Sequence, residues 1–284
     1  DPDTGNSVDM KQMIHKIHYG PNLPSVQAGI PYQIIGYRQS VHDYSHVEYP
    51  QDMRNCVRCH TADTPGGSVW MTEPNRDACG SCHDNINWEV SGEGHPVAQF
   101  DDSLCSACHI PQGEHEFDIS VMGAHTIPAK SSQLPGINME ITDVTGAMPG
   151  GTPTVYFTLT DNDGATISPI SGFRTLTLRM AGPIGDTIDH MMDLSQDARQ
   201  ATTVGDEYMM TFETPIPEEA TGSWGFSADV RKETLIDDGT LEGMVVTEGA
   251  FNPLYYAAVT DSATTPRREV VSIDKCNVCH DVLS

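Results

Sequence analysis

The sequence predicts two kinds of chain in succession: a loop-rich leading part with few helices, then an antiparallel β-sandwich or small barrel. Three observations lead there. Four Cys-x-x-Cys-His motifs use all eight cysteines of the 284 residues. Ordinary core residues are sparse before residue 130, and beyond about 135 apolar residues recur with period two. The expected domains are 1–133, 134–270 and a trailing segment 271–284 that carries the last motif.

The motifs are Cys56–His60, Cys79–His83, Cys105–His109 and Cys276–His280. This pattern is the attachment site of a c-type haem. The thiols of Cys56 and Cys59, Cys79 and Cys82, Cys105 and Cys108, and Cys276 and Cys279 would reach the porphyrin vinyl groups. The imidazoles of His60, His83, His109 and His280 would lie under the irons as proximal ligands. Zinc ribbons use paired Cys-x-x-Cys but have no need of a His after each second Cys. Disulfides give no reason for so uniform a spacing. Four haems, and a multihaem cytochrome c with a trade in electrons, are therefore expected.

Charge narrows the partners. Forty acidic against fifteen basic side chains leave a net −25. Such a surface repels nucleic acid and anionic lipid, which removes those binding classes. No apolar run approaches a membrane span, and Asp1-Pro2-Asp3-Thr4-Gly5 does not read as a signal peptide. A mature or trimmed chain is expected, placed in the periplasm or outside the cell, because cytochrome c maturation takes place beyond the cytoplasmic membrane.

In chain order, the first element is a helix over 8–18, with Met10, Met13, Ile14 and Ile17 on one stripe and Gly20-Pro21 to stop it. His15 and His18 are three residues apart and project toward one side. Cys56 and Cys79 are 23 residues apart, and Cys79 and Cys105 are 26. Three porphyrins on so short a stretch must lie close together and supply much of its buried apolar surface. Strands are expected through Ile137, Met139 and Ile141; Val155, Phe157 and Leu159; Leu176, Leu178 and Met180; Tyr208, Met210 and Phe212; and Trp224, Phe226, Ala228 and Val230. Turn signals separate them. Asp161-Asn162-Asp163-Gly164 resembles the start of a calcium loop but lacks the later bidentate Glu, so a hairpin turn is expected. The fourth motif follows the last strand.

Eight histidines lie outside the motifs: His15, His18, His42, His46, His95, His115, His125 and His190. Seven fall in the leading part, an excess that reads as distal ligands of bis-His iron. His15, His18, His95 and His125 are the preferred candidates, with His46 and His115 in reserve; for His190 an ordinary solvent or structural role is expected. Two imidazoles and an acidic surround favour ferric iron, so low potentials are expected.

The stretch Asp9–Gly20, with Pro31–Tyr37 and Pro50–Cys56, resembles a pentahaem domain of the outer-surface multihaem cytochromes of metal-reducing bacteria, the MtrC/OmcA family. Asp274–Asp281 is similar to that family's first motif after a β domain. The resemblance implies haem domains alternating with split β-barrels, and delivery of respiratory electrons to minerals, flavins or other cytochromes at the cell exterior. It also implies a pentahaem domain cut at both ends, either as a piece of a longer protein or as a unit that polymerises head to tail into a secreted filament. The competing classes are a multihaem reductase with one open iron and an assembly module in which the β domain leads. Other multihaem cytochromes, or copies of the chain itself, are the expected partners.

Overall fold

Alternation of apolar and polar side chains becomes two antiparallel sheets in the trailing part of the chain. The computed structural model describes residues 1–185 and 190–280, in two units, Asp1–Ile127 and Pro128–Ser284. In the second unit one sheet runs β3–β4–β8–β7, built from Asn138–Thr145, Thr154–Thr160, Glu207–Thr211 and Thr202–Val204. The other runs β10–β9–β5–β6, from Met244–Gly249, Ser223–Ile236, Thr175–Gly182 and Met192–Asp197, and β11 (Leu254–Ala258) also pairs with β9.

The core is what period two dictates. Val155, Phe157 and Leu159 on β4 are fully buried while their neighbours are half-buried. Leu176, Leu178 and Met180 on β5 and Trp224, Phe226, Ala228 and Val230 on β9 join the same cluster. Phe157 stacks on Tyr208 with centroids 5.6 Å apart. The polar tips are satisfied: the Tyr208 hydroxyl donates to the Ile167 carbonyl at 2.7 Å, and Trp224 Nε1 donates to that of Thr221 at 3.2 Å. A register shift between Ile141 and Asp143 adds one residue to β3, so the buried positions pass from Met139 and Ile141 to the half-buried Val144. Asp161 accepts from the backbone N–H groups of Asp163 and Ala165, which commits that carboxylate to a hairpin turn.

The five strands read from alternation are present. The pattern did not mark β6, β7, β10 or β11. β7 is exposed throughout and β6 alternates half-buried with exposed. β11, Leu254–Ala258, is an unbroken apolar run in which period two is silent. The expected order of elements is met in outline: a leading unit with short helices, followed in sequence by antiparallel sheets.

In that leading unit, α1 spans Met10–Tyr19. Asp9 caps it by accepting from Lys11 N–H at 2.8 Å, and Gly20 ends it. Gly20 has φ 40°, and a Cβ there would lie 2.3 Å from the Val47 carbonyl oxygen, so only glycine fits. The stripe on α1 meets little protein core: Met10 is 65 % exposed and no residue of the helix is fully buried. The protein core available to it is small, consisting of Leu23, Tyr32 and Ile34, which Ile17 joins at the margin. The other α-helices of the leading unit are single turns: α2 (Pro24–Gln27), α3 (Val69–Thr72), α4 (Arg76–Cys79), α5 (Cys105–Cys108) and α6 (Val121–Ala124); the longer α7 (Ile273–His280) belongs to the second unit. A hairpin pairs β1 (Gln33–Ile35) with β2 (Val41–Asp43). Asp43 accepts from Gln33 Nε2 at 2.7 Å and Ser45 N–H at 2.9 Å.

Two outcomes follow from this packing. A Cβ on Gly182 would sit 2.2 Å from the Trp224 ring, so Gly182→Ala should destabilise the β unit by about 1–3 kcal/mol through overpacking, read by denaturant unfolding of Trp fluorescence. Hydrogen bonds from Gln33, then Ser45, hold the Asp43 carboxyl at about 2, below its ordinary 3.8. Its stabilisation of the hairpin is present above the ordinary value and is lost as pH falls through about 2. Protection of the Ile34 and His42 amides, relative to their intrinsic exchange rates, should fall over that window, and Asp43→Asn should abolish that fall.

Candidate functional site

The three leading motifs fold into the same turn. His60 N–H donates to Cys56 C=O, His83 N–H to Cys79 C=O and His109 N–H to Cys105 C=O, each at 2.9 Å. One helical turn carries the two cysteines of each motif on neighbouring positions with the histidine directly after them. No disulfide joins any of the eight cysteines. Before any attachment, burial pushes the Cys56 thiol up to about 11 and the Cys82 thiol up to about 12.

Each of these motif histidines faces one other imidazole. His60 and His15 have ring centroids 6.2 Å apart, His83 and His125 6.4 Å, and His109 and His95 6.2 Å. A metal bonded at about 2 Å to one nitrogen of each ring, with each ring centre about 1 Å further back, requires about 6 Å between centroids. The residues therefore fit iron held between paired imidazoles. Among the described residues no three His, Cys, Asp or Glu side chains converge as a bare-ion site requires.

The second nitrogen of each facing ring is already engaged. His15 Nδ1 lies 2.7 Å from the Lys11 carbonyl, His95 Nδ1 2.6 Å from that of Val97, and His125 Nδ1 2.7 Å from that of Val121. A carbonyl only accepts, so Nδ1 carries the proton and Nε2 is left with a free lone pair. Burial, opposed by the Lys11 carbonyl, lowers the pKa of His15; burial followed by the nearby His125 lowers that of His83. Both shifts favour the neutral imidazole, the metal-binding form.

The remaining candidates are placed differently. His18 packs edge-on against Tyr49 at 5.1 Å. His46 and His115 make no ring contact with a motif histidine among the described residues. His42 Nε2 lies 3.0 Å from Ser40 Oγ, and His190 Nδ1 3.3 Å from the Pro183 carbonyl. The fourth motif, Cys276–His280, occupies α7 of the second unit, whose residues are exposed or half-buried.

Sequence reasoning missed the ties between motifs. Lys16 Nζ meets Asp84 Oδ2 at 2.8 Å, joining α1 to the residue directly after His83. Ser25 donates to the same carboxylate from its N–H at 3.0 Å and its hydroxyl at 2.6 Å. Burial pushes the Asp84 carboxyl up, but the hydrogen bonds from Lys16 and Ser25 outweigh it and hold the pKa low. Arg76, before the second motif, pairs with Asp102, before the third, at 2.8 Å. Arg54, before the first motif, donates to the carbonyl of Thr126, which follows His125, at 3.4 Å. The available signal was positional: each of these cations lies within four residues of a motif or a paired histidine.

Residues 1–125 match the family model of outer membrane cytochromes of the MtrC/MtrF-like type, domains II/IV. Among solved structures the chain is similar to MtrC from Shewanella baltica OS185, with TM-score 0.65 and 20% identity over 97% of this chain and 44% of that one. It is also similar to the outer membrane decaheme cytochrome OmcA, with TM-score 0.63 and 21% identity over 99% of this chain and 45% of that one. The chain thus spans less than half the length of these structures. No curated protein matches it in sequence. The fold is that of these two structures, a leading unit with short helices followed in sequence by an antiparallel β unit. Its leading unit is similar to the MtrC/MtrF-like domain, in line with the resemblance in the sequence.

Proposed function

We propose that this chain holds four c-type haems and conducts electrons at the outer cell surface toward other cytochromes or extracellular acceptors such as minerals and flavins. The single observation that carries the reading is the set of three facing imidazole pairs, one for each leading motif. His60 with His15, His83 with His125 and His109 with His95 would hold three irons, and His280 would hold the fourth. Cys56, Cys59, Cys79, Cys82, Cys105, Cys108, Cys276 and Cys279 anchor the porphyrins.

Haem iron bound in this way supplies one-electron transfer between ferric and ferrous states. The chain's part is to position and to poise. The backbone carbonyls on Nδ1 fix each distal ring and its tautomer. Two imidazoles at each of those irons would leave no position for substrate, which favours a conduit over a reductase. The resemblance to MtrC and OmcA supports the cell-surface location, and the net charge of −25 suits cationic or metal-bearing partners.

A finer form of the proposal is head-to-tail assembly, in which the fourth motif takes its distal imidazole from the leading unit of another copy. Its support is His18, which faces Tyr49 instead of a motif histidine and so remains as a further imidazole on the leading unit.

Haem quantified per chain, with low-temperature EPR, tests the function. Four low-spin haems are expected. His15→Ala, His95→Ala and His125→Ala should each convert one haem to high spin, whereas His46→Ala and His115→Ala should convert none. A high-spin haem in the unmodified protein would promote the reductase reading. Light scattering tests assembly: a mass above the monomer that His18→Ala reduces is expected, and a monodisperse monomer with all haems low-spin would exclude it.

A further inference from the structure

Two irons of the proposed conduit are bordered by one buried ion pair. Lys16 follows His15, the ring facing His60, and Asp84 follows His83, the ring facing His125. Lys16 is 16 % exposed and Asp84 6 %, while the ion pairs Arg174–Glu233, Arg199–Asp197 and Arg231–Asp229 of the β unit have both partners above 40 %. Exposed pairs of that kind are screened by water and contribute little. A buried pair is different: removing one partner strands the other charge in a poorly polarisable setting.

The surroundings hold the pair in place. Asp84 takes hydrogen bonds from the Ser25 hydroxyl and N–H as well as from Lys16. Lys16 Nζ lies 5.2 Å from the centroid of the Tyr32 ring, and Tyr32 is 2 % exposed. Tyr32 in turn belongs to the small apolar cluster with Leu23 and Ile34. Helix α1, the Pro24–Gln27 turn and the second motif therefore meet at one carboxylate.

We propose that Lys16 and Asp84 form a charge clasp that positions His15 and His83 relative to one another and jointly sets the reduction potentials of the two neighbouring haems. This rests on the haem reading above. Reduction adds one negative charge to an iron centre, so a nearby cation favours the ferrous state and a nearby anion the ferric state. With both charges present their effects oppose one another. Removing either exposes the other, and the two removals must act in opposite directions. A clasp that served only to hold the fold would show no such sign reversal.

Potentiometric titration of the full-length chain, followed by visible absorption and by EPR, tests this on Asp84→Asn, Lys16→Met and the double variant. Asp84→Asn should raise the midpoint potential of at least one haem and Lys16→Met should lower it. The double variant should return toward the unmodified protein, and Lys16→Arg, which keeps the charge, should leave the potentials in place. Single variants that retain their haems and shift in the same direction, or not at all, would overturn the clasp. Loss of the second haem in Asp84→Asn and Lys16→Met alike would also overturn it, since the pair would then serve assembly alone. Absence of covalent haem from the unmodified protein would overturn the function and this proposal together, whereas haems present with unmoved potentials would overturn this proposal alone.

Discussion

Facing imidazoles at a little over 6 Å are the constraint on which the leading unit depends. Each pair joins a motif histidine to one distant in sequence: His60 to His15, His83 to His125, His109 to His95. Holding two rings apart at that distance is not something apolar packing achieves, because packing closes gaps. The spacing is maintained by hydrogen bonds and turns on either side. The carbonyls of Lys11, Val97 and Val121 take the outer nitrogens, and the repeated Cys-to-His turn presents the inner ring.

Charge does part of the remaining work in the leading unit. Only six lysines and arginines lie in residues 1–127, namely Lys11, Lys16, Arg38, Arg54, Arg58 and Arg76. Three of them tie one motif segment to another, through Asp84, Thr126 and Asp102. In so acidic a chain a cation is the natural cross-link, since it relieves repulsion among the carboxylates that surround it. The three ties differ in depth. Lys16–Asp84 is buried, whereas Arg76–Asp102 and the Arg54 contact lie near water and are correspondingly weaker.

The second unit rests on different physics. Its sheets enclose a continuous apolar core in which Phe157, Leu159, Leu176, Met180, Trp224 and Phe226 are essentially inaccessible. Burying one such side chain contributes about 1.5–3 kcal/mol. That unit is stabilised by its own side chains, while the leading unit offers a protein core of only Leu23, Tyr32 and Ile34.

The sequence by itself determined the parts that are local or periodic. A Cys-x-x-Cys-His motif is complete within five residues, and a half-buried strand announces itself every second residue, so the motifs and β3, β4, β5, β8 and β9 were legible. The edge strands β6 and β7 were not, because a strand with little buried face leaves weak alternation. The tertiary structure alone decided which histidine meets which motif: His15, His95 and His125 find partners, and His18, of the same residue type and on the same helix as His15, turns to Tyr49. It also decided that Asp84 lies beneath α1. Both are contacts across 42 to 68 residues or, for His95 and His109, across a loop of 14. An imidazole's partner across such separations depends on how intervening turns are packed, and no local pattern encodes that path.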